Sequence, residues 1–107
     1  MPLIRIEYDN QKVSEADATV IAEAIQKIVS EVTGIVDVFA YANSSQIKIK
    51  IAPIEIFVEM SASKITDLDK LFEEIKSRLS EWKQESNFPI SINLTLIPMQ
   101  WKFEVGI

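Results

Sequence analysis

The sequence predicts an α/β (α+β) fold: two βαβ units forming one four-stranded mixed sheet with two helices on one face. Proline-led, alternating segments begin at Pro2 and at Pro53, and each is followed by a polar stretch, a helical stripe and a further apolar segment. Period-two alternation marks the strands, and apolar residues three and four apart mark the helices. The halves, 2–52 and 53–107, repeat in architecture rather than in wording. Right-handed crossovers then put both helices on the same side of the sheet. With 107 residues, 48% of them hydrophobic, the chain is expected to form a single domain over 1–107.

Each element has its own signal. Pro2, Ile4, Ile6 and Tyr8 share one face of the first segment, with Leu3, Arg5 and Glu7 on the other, as a strand with one buried face requires. Ser14 followed by Asp17 resembles a capping box and predicts a helix start. Ile21, Ile25, Ile28 and Val32 carry the stripe to a stop at Gly34. Ile35–Tyr41 is β-branched and apolar enough for a second strand, and Gln46–Ile51 (QIKIKI) alternates cleanly enough to predict another strand or hairpin arm. In the second half, Pro53–Met60 alternates as the first strand does, and Thr66 with Asp69 offers a cap for a helix whose stripe runs from Leu68 to Trp82. Ile90–Ile97 is the last expected strand, with Pro98 ending its ladder and Trp101, Phe103 and Val105 on one side of an extended tail.

Composition excludes several chemistries. With no cysteine and no histidine, disulfides, thiolate nucleophiles and histidine-based triads are impossible, and no cluster has metal-ligand spacing. The only glycines, Gly34 and Gly106, cannot build a phosphate-cradling loop, so neither a metal nor another cofactor is expected. Sixteen acidic against 11 basic residues give a net charge of -5, which offers no footprint for nucleic acid. There is no basic start with a long apolar run and no membrane-spanning stretch, so a soluble cytoplasmic protein without membrane contact is expected. Catalysis, if any, must use carboxylates, lysine, tyrosine or a chain terminus.

The sheet face away from the helices mixes Leu3, Phe57 and Ile97 with Arg5, Glu55, Glu59, Asn93 and Thr95. A partly apolar face of this kind invites cover by another subunit.

These pieces resemble the tautomerase superfamily, which includes oxalocrotonate tautomerase and macrophage migration inhibitory factor, and within it a poorly characterised branch of longer chains. The likeness rests on "MP" at the start, the second proline-led strand at Pro53, "PIEIFVEM" and "LTLIPMQWKFEVG". It implies a homotrimer and a reaction in which a proton moves alpha to a carbonyl in a small carboxylate-bearing keto or enol acid. The amine of Pro2, freed by removal of Met1, is the implied general base, and cationic groups are implied to hold the substrate carboxylate. Independently, a ring-constrained secondary amine in a partly apolar pocket can be tuned toward a useful pKa. The structural alternative for Pro2, a proline that simply opens a strand, stands level with the catalytic one.

The cations are few. Arg5 faces away from Pro2 by strand alternation, and Arg78 reads as a solvated helix residue, so Arg5, Lys48 and Lys50 are the carboxylate-binding candidates. The bland reading of the two lysines is the outward face of an edge strand. Tyr41 is the candidate donor to an enolate oxygen and Tyr8 a second one, although tyrosines with a wet tip are common. Trp101 either walls the substrate pocket with Phe103 or seals a subunit contact. Two functions follow: a cofactor-independent tautomerase or isomerase, and a catalytically inactive oligomer of the same fold that binds small ligands or partners.

Overall fold

Alternation sets the first strand. In the computed structural model, which describes residues 1–107, β1 (Leu3–Tyr8) buries Ile4, Ile6 and Tyr8 and leaves Leu3, Arg5 and Glu7 on the opposite face. α1 (Glu15–Thr33) begins where the Ser14 hydroxyl accepts the Asp17 N–H at 3.1 Å. It ends at Gly34, whose φ of 72° is left-handed backbone that favours glycine.

β2 (Phe39–Ser44) starts later than the apolar run Ile35–Tyr41 predicts. The hydroxyl of Ser30 donates to the Ile35 carbonyl and that of Thr33 accepts the Ile35 N–H, so the first residue after the helix cap is tied back to the helix. The chain needs the next few residues to reach the sheet, leaving Val36 88% exposed, and the ladder opens with Phe39 N–H donating to the Pro2 carbonyl at 3.1 Å.

β3 (Ile54–Ser61) buries Ile54, Ile56, Val58 and Met60. A short 3-10 turn, Ala62–Lys64, then leads to α2 (Leu68–Glu85). Its cap is Asp67 rather than Thr66: the Asp67 carboxylate accepts the Lys70 N–H at 3.1 Å, the reach from the cap to the third helical residue. β4 (Asn93–Met99) runs through Pro98 instead of stopping before it. β4 pairs only with β3, and on an edge strand a residue lacking an N–H forfeits no bond when it faces outward.

The strand order is β2-β1-β3-β4, with β1 parallel to β2, β3 parallel to β4, and β1 antiparallel to β3. Each half is therefore a βαβ unit, and the halves meet head to tail along the central pair. Ile4, Ile6, Ile56 and Val58 pack under Ile21, Ile25, Val29 and Ile75, all at most 1% exposed. Burial of each such side chain stabilises the fold by about 1.5–3 kcal/mol. Arg78 of α2 pairs with Glu31 of α1 and bridges the helices on their outer side.

The alternating segment Gln46–Ile51 is not a strand, contrary to expectation. β2 is an edge strand with one side free, but the chain leaves that edge after Ser44 and runs on as bends, so the segment forms no hairpin with it. Instead Lys48 turns inward, 3.7 Å from the Asp9 carboxylate and hydrogen-bonded to the Asn10 side chain, while Ile47 and Ile49 face outward. No helix is long and apolar enough to cross a membrane.

Candidate active site at the Pro2 end of the sheet

Antiparallel pairing of β1 and β3 puts the two strand-opening prolines at opposite ends of the sheet. Each is tied in the same way: the Pro2 carbonyl accepts from Phe39 N–H, and the Pro53 carbonyl accepts from Asp9 N–H at 2.9 Å. The Pro2 ring is fully buried on the helix side. Leu3 pairs with Glu59, so the same register continued by one residue sets Met60 opposite Pro2 and Ser61 just beyond it.

Two depressions flank this end. One, on the helix side, lies between the end of α1 and the start of α2 and is lined by Val32, Met60, Lys64, Asp67, Lys70 and Glu74 among others. The other lies where β3 and β4 run out, lined by Ser61, Ser63, Met99, Gln100, Trp101 and Lys102 along with Ala62. The Trp101 ring meets Phe103 edge-on with centroids 6.4 Å apart.

Of the residues singled out in the sequence, Pro2 and Trp101 share this end. Arg5 and Tyr41 face each other by register in the middle of the open sheet face. Arg5 is engaged there: its guanidinium lies 3.6 Å from Glu7, 3.7 Å from Glu59 and 4.4 Å from the centre of the Phe57 ring. Tyr8 is buried at the far end of β1, roughly 20 Å from Pro2 at about 3.3 Å per residue. Lys48, held by Asp9, is at that far end, and Lys50 follows it in the same irregular segment. One subunit thus does not bring these three cations and two tyrosines to Pro2.

Lys64, Lys70 and Lys102 are the cations that the fold does bring to this end, and sequence reasoning passed over all three. The signal was available in the repeat. Once the halves are antiparallel, whatever follows β3 and β4 must land beside the start of β1.

Comparison with known proteins bears on the fold. No protein-family model and no curated protein sequence matches the chain. Solved structures do match over almost its whole length. A malonate semialdehyde decarboxylase, solved with the inhibitor 3-bromopropiolate, superposes with a TM-score of 0.70 at 18% identity, covering 98% of this chain and 91% of its own. A macrophage migration inhibitory factor-like protein from Entamoeba histolytica gives 0.61 at 24% identity, covering 96% and 93%. A domain of unknown function from Sebaldella termitidis gives 0.63 at 10% identity, covering 100% and 98%. The chain has the tautomerase/MIF-like fold.

Proposed function

We propose that this protein is a cofactor-independent tautomerase or isomerase acting on a small keto or enol acid, with Pro2, freed of Met1, as the general base. The observation that carries this reading is the placement of Pro2: it opens a central strand, its ring is locked in the core, and its nitrogen lies at a sheet end flanked by two depressions. A fixed ring holds the amine lone pair in one direction, which a base acting on a bound carbon acid needs. That a similarly folded protein acts on malonate semialdehyde, itself a small carbonyl acid, supports the substrate class.

In ketonisation the Pro2 amine takes the enol hydroxyl proton, the oxygen's electron pair re-forms the carbonyl as the C=C pair accepts that proton from the prolinium at the alpha carbon, and the reverse order of transfers gives the enol. Trp101 walls the site, while Tyr41 and Lys50 reach it only from a neighbouring copy. A homotrimer belongs to the same proposal. Phe39 and Tyr41 are 53% and 43% exposed on the open sheet face beside Leu3 and Phe57, and β2 and β4 each keep one unpaired edge. Light scattering giving three subunits supports the assembly, and a monomer at micromolar concentration overturns it.

The chemistry is tested on untagged protein whose intact mass shows the loss of Met1. Catalysed ketonisation of a 2-oxo acid from its enol form, abolished in Pro2→Ala, is expected. Retention of methionine in the native cell, or ketonisation unchanged in Pro2→Ala, contradicts the proposal. The inactive-oligomer reading takes its place in that event, and the engagement of Arg5 by Glu7 and Glu59 favours it.

A further inference from the structure

The two outer strands are closed off unequally. On the helix side of β2, Ala40 and Ala42 stand beside Ile4 and Ile6, whereas the corresponding places on β4 are taken by Leu94 and Leu96 beside Ile56 and Val58. The inner-strand residues are fully buried, but Ile92 and Leu94 are only half-buried. α2 therefore leaves apolar surface of the outer strand uncovered. A groove of about 560 Å³ runs there, between Phe72 and Leu79 of the helix and Ile92 and Leu94 of the strand.

Charge is segregated along the same helix. Phe72, Lys76, Leu79 and Lys83 recur at spacings of four, three and four and share the face that lines the groove. α2 carries five acidic residues, Asp69, Glu73, Glu74, Glu81 and Glu85, and none of them lines it. Lys76 pairs with Glu73 at 3.8 Å on the exposed surface, while Lys83 is half-buried and has no ion pair within the chain. A cation partly withdrawn from water over an apolar floor favours a ligand of opposite charge that also carries apolar surface.

We propose that the groove between α2 and β4 binds a medium-chain aliphatic carboxylate, with its head at Lys83 and its tail lying toward Phe72. From Lys83 to Phe72 the helix runs about 16 Å at 1.5 Å per residue, room for one extended acyl chain. The carboxylate accepts from the Lys83 ammonium, and the tail covers Ile92 and Leu94. Lys83 supplies a point charge without an arginine fork or a backbone nest, which suits a monocarboxylate better than a phosphate dianion. The groove opens where Asn93 pairs with Glu55, at the start of β3 and so at the end of the sheet opposite Pro2. Binding here is separate from the base proposed above and involves no proton transfer.

The test titrates the full-length protein, labelled with ¹⁵N, with sodium decanoate below its micelle concentration, using acetate as the control without a tail and decanol as the control without a charge. Saturable movement of amide signals in 72–83 and 91–94 by decanoate is expected, with acetate silent and decanol weaker by about tenfold. Octanoate is expected to bind about tenfold more weakly than decanoate, for the apolar surface it lacks. Lys83→Ala is expected to weaken decanoate about tenfold and to leave decanol unchanged, which separates the head contact from any loosening of the helix. Ser80→Phe fills the groove from an exposed position on α2 and is expected to abolish binding of both. No saturable movement, acetate acting as decanoate does, or a decanoate affinity unchanged in Lys83→Ala or in Ser80→Phe overturns the site. Movement centred on Ser61 and Trp101 would place the acid at the Pro2 end and overturns it too. Decanoate that binds only as an oligomer dissociates, followed by light scattering, would assign the groove to a second copy of the chain, with the same consequence.

Discussion

Arg5 and Phe57 stand opposite each other on the central strand pair, with the guanidinium carbon 4.4 Å from the centre of the phenyl ring. Glu7 and Glu59 flank the same guanidinium, so the chain's one arginine on the sheet is engaged in a local cluster on the open face. Arg5→Ala is expected to lower stability by about 1 kcal/mol, a modest figure because Arg5 is 33% exposed and its ion pairs are screened by solvent. Arg5→Lys keeps the charge but loses the planar contact and falls between the two. Urea unfolding measures both. A loss above about 3 kcal/mol would mean that the cluster supports an interface and not only the face of one sheet.

The core makes a larger prediction. Ile56 is fully buried and pairs in register with Ile6 on one side and Leu94 on the other. Ile56→Ala leaves a cavity in the middle of the sheet, and a cost of about 2–5 kcal/mol is expected from the shift of the urea midpoint. A cost under about 1 kcal/mol would show that the helices collapse onto the gap.

Helix starts depend on single side chains. Ser14→Ala and Asp67→Ala each remove an acceptor from a first-turn N–H, and each is expected to cost about 1 kcal/mol. Asp67→Asn preserves an acceptor and should recover most of the loss. The two caps lie on different helices, so the double variant is expected to lose the sum.

Lys48 is predicted to hold a loop. Its ammonium lies 3.7 Å from Asp9, whose carboxylate also accepts the Gln11 N–H. Lys48→Met is expected to free the Gln46–Ile51 segment, speeding tryptic cleavage after Lys50 several-fold. Cleavage no faster than in the wild-type chain would show that the segment is held without this contact.

Much of the fold is legible in the sequence because one-sided burial leaves a period-two record. Ile4, Ile6, Ile54, Ile56 and Val58 are read directly as core, as is the stripe of α1. Gln46–Ile51 misleads for the same reason: alternation records two unlike faces, and an exposed loop with one anchored lysine between outward isoleucines has them too. Pro98 misleads because a breaker in the middle of a sheet is harmless on an outer edge. The site is less legible than the fold. Lys48 and Lys50 stand out by pattern but follow β2, which runs parallel to β1 and ends far from Pro2. Lys102 and the Ser61–Ser63 pair carry no pattern, and only the antiparallel meeting of the halves brings them to that end.

Exchange of the methyl protons of pyruvate for deuterium, followed by proton NMR, tests the role of Pro2 most directly, because exchange reports removal of the alpha proton whatever happens next. Protein with the mass of the Met1-free chain is predicted to catalyse this exchange, and Pro2→Ala to reduce it by roughly 100-fold or more, the contribution typical of a positioned general base. Exchange that continues undiminished in Pro2→Ala would contradict the account and place the base elsewhere.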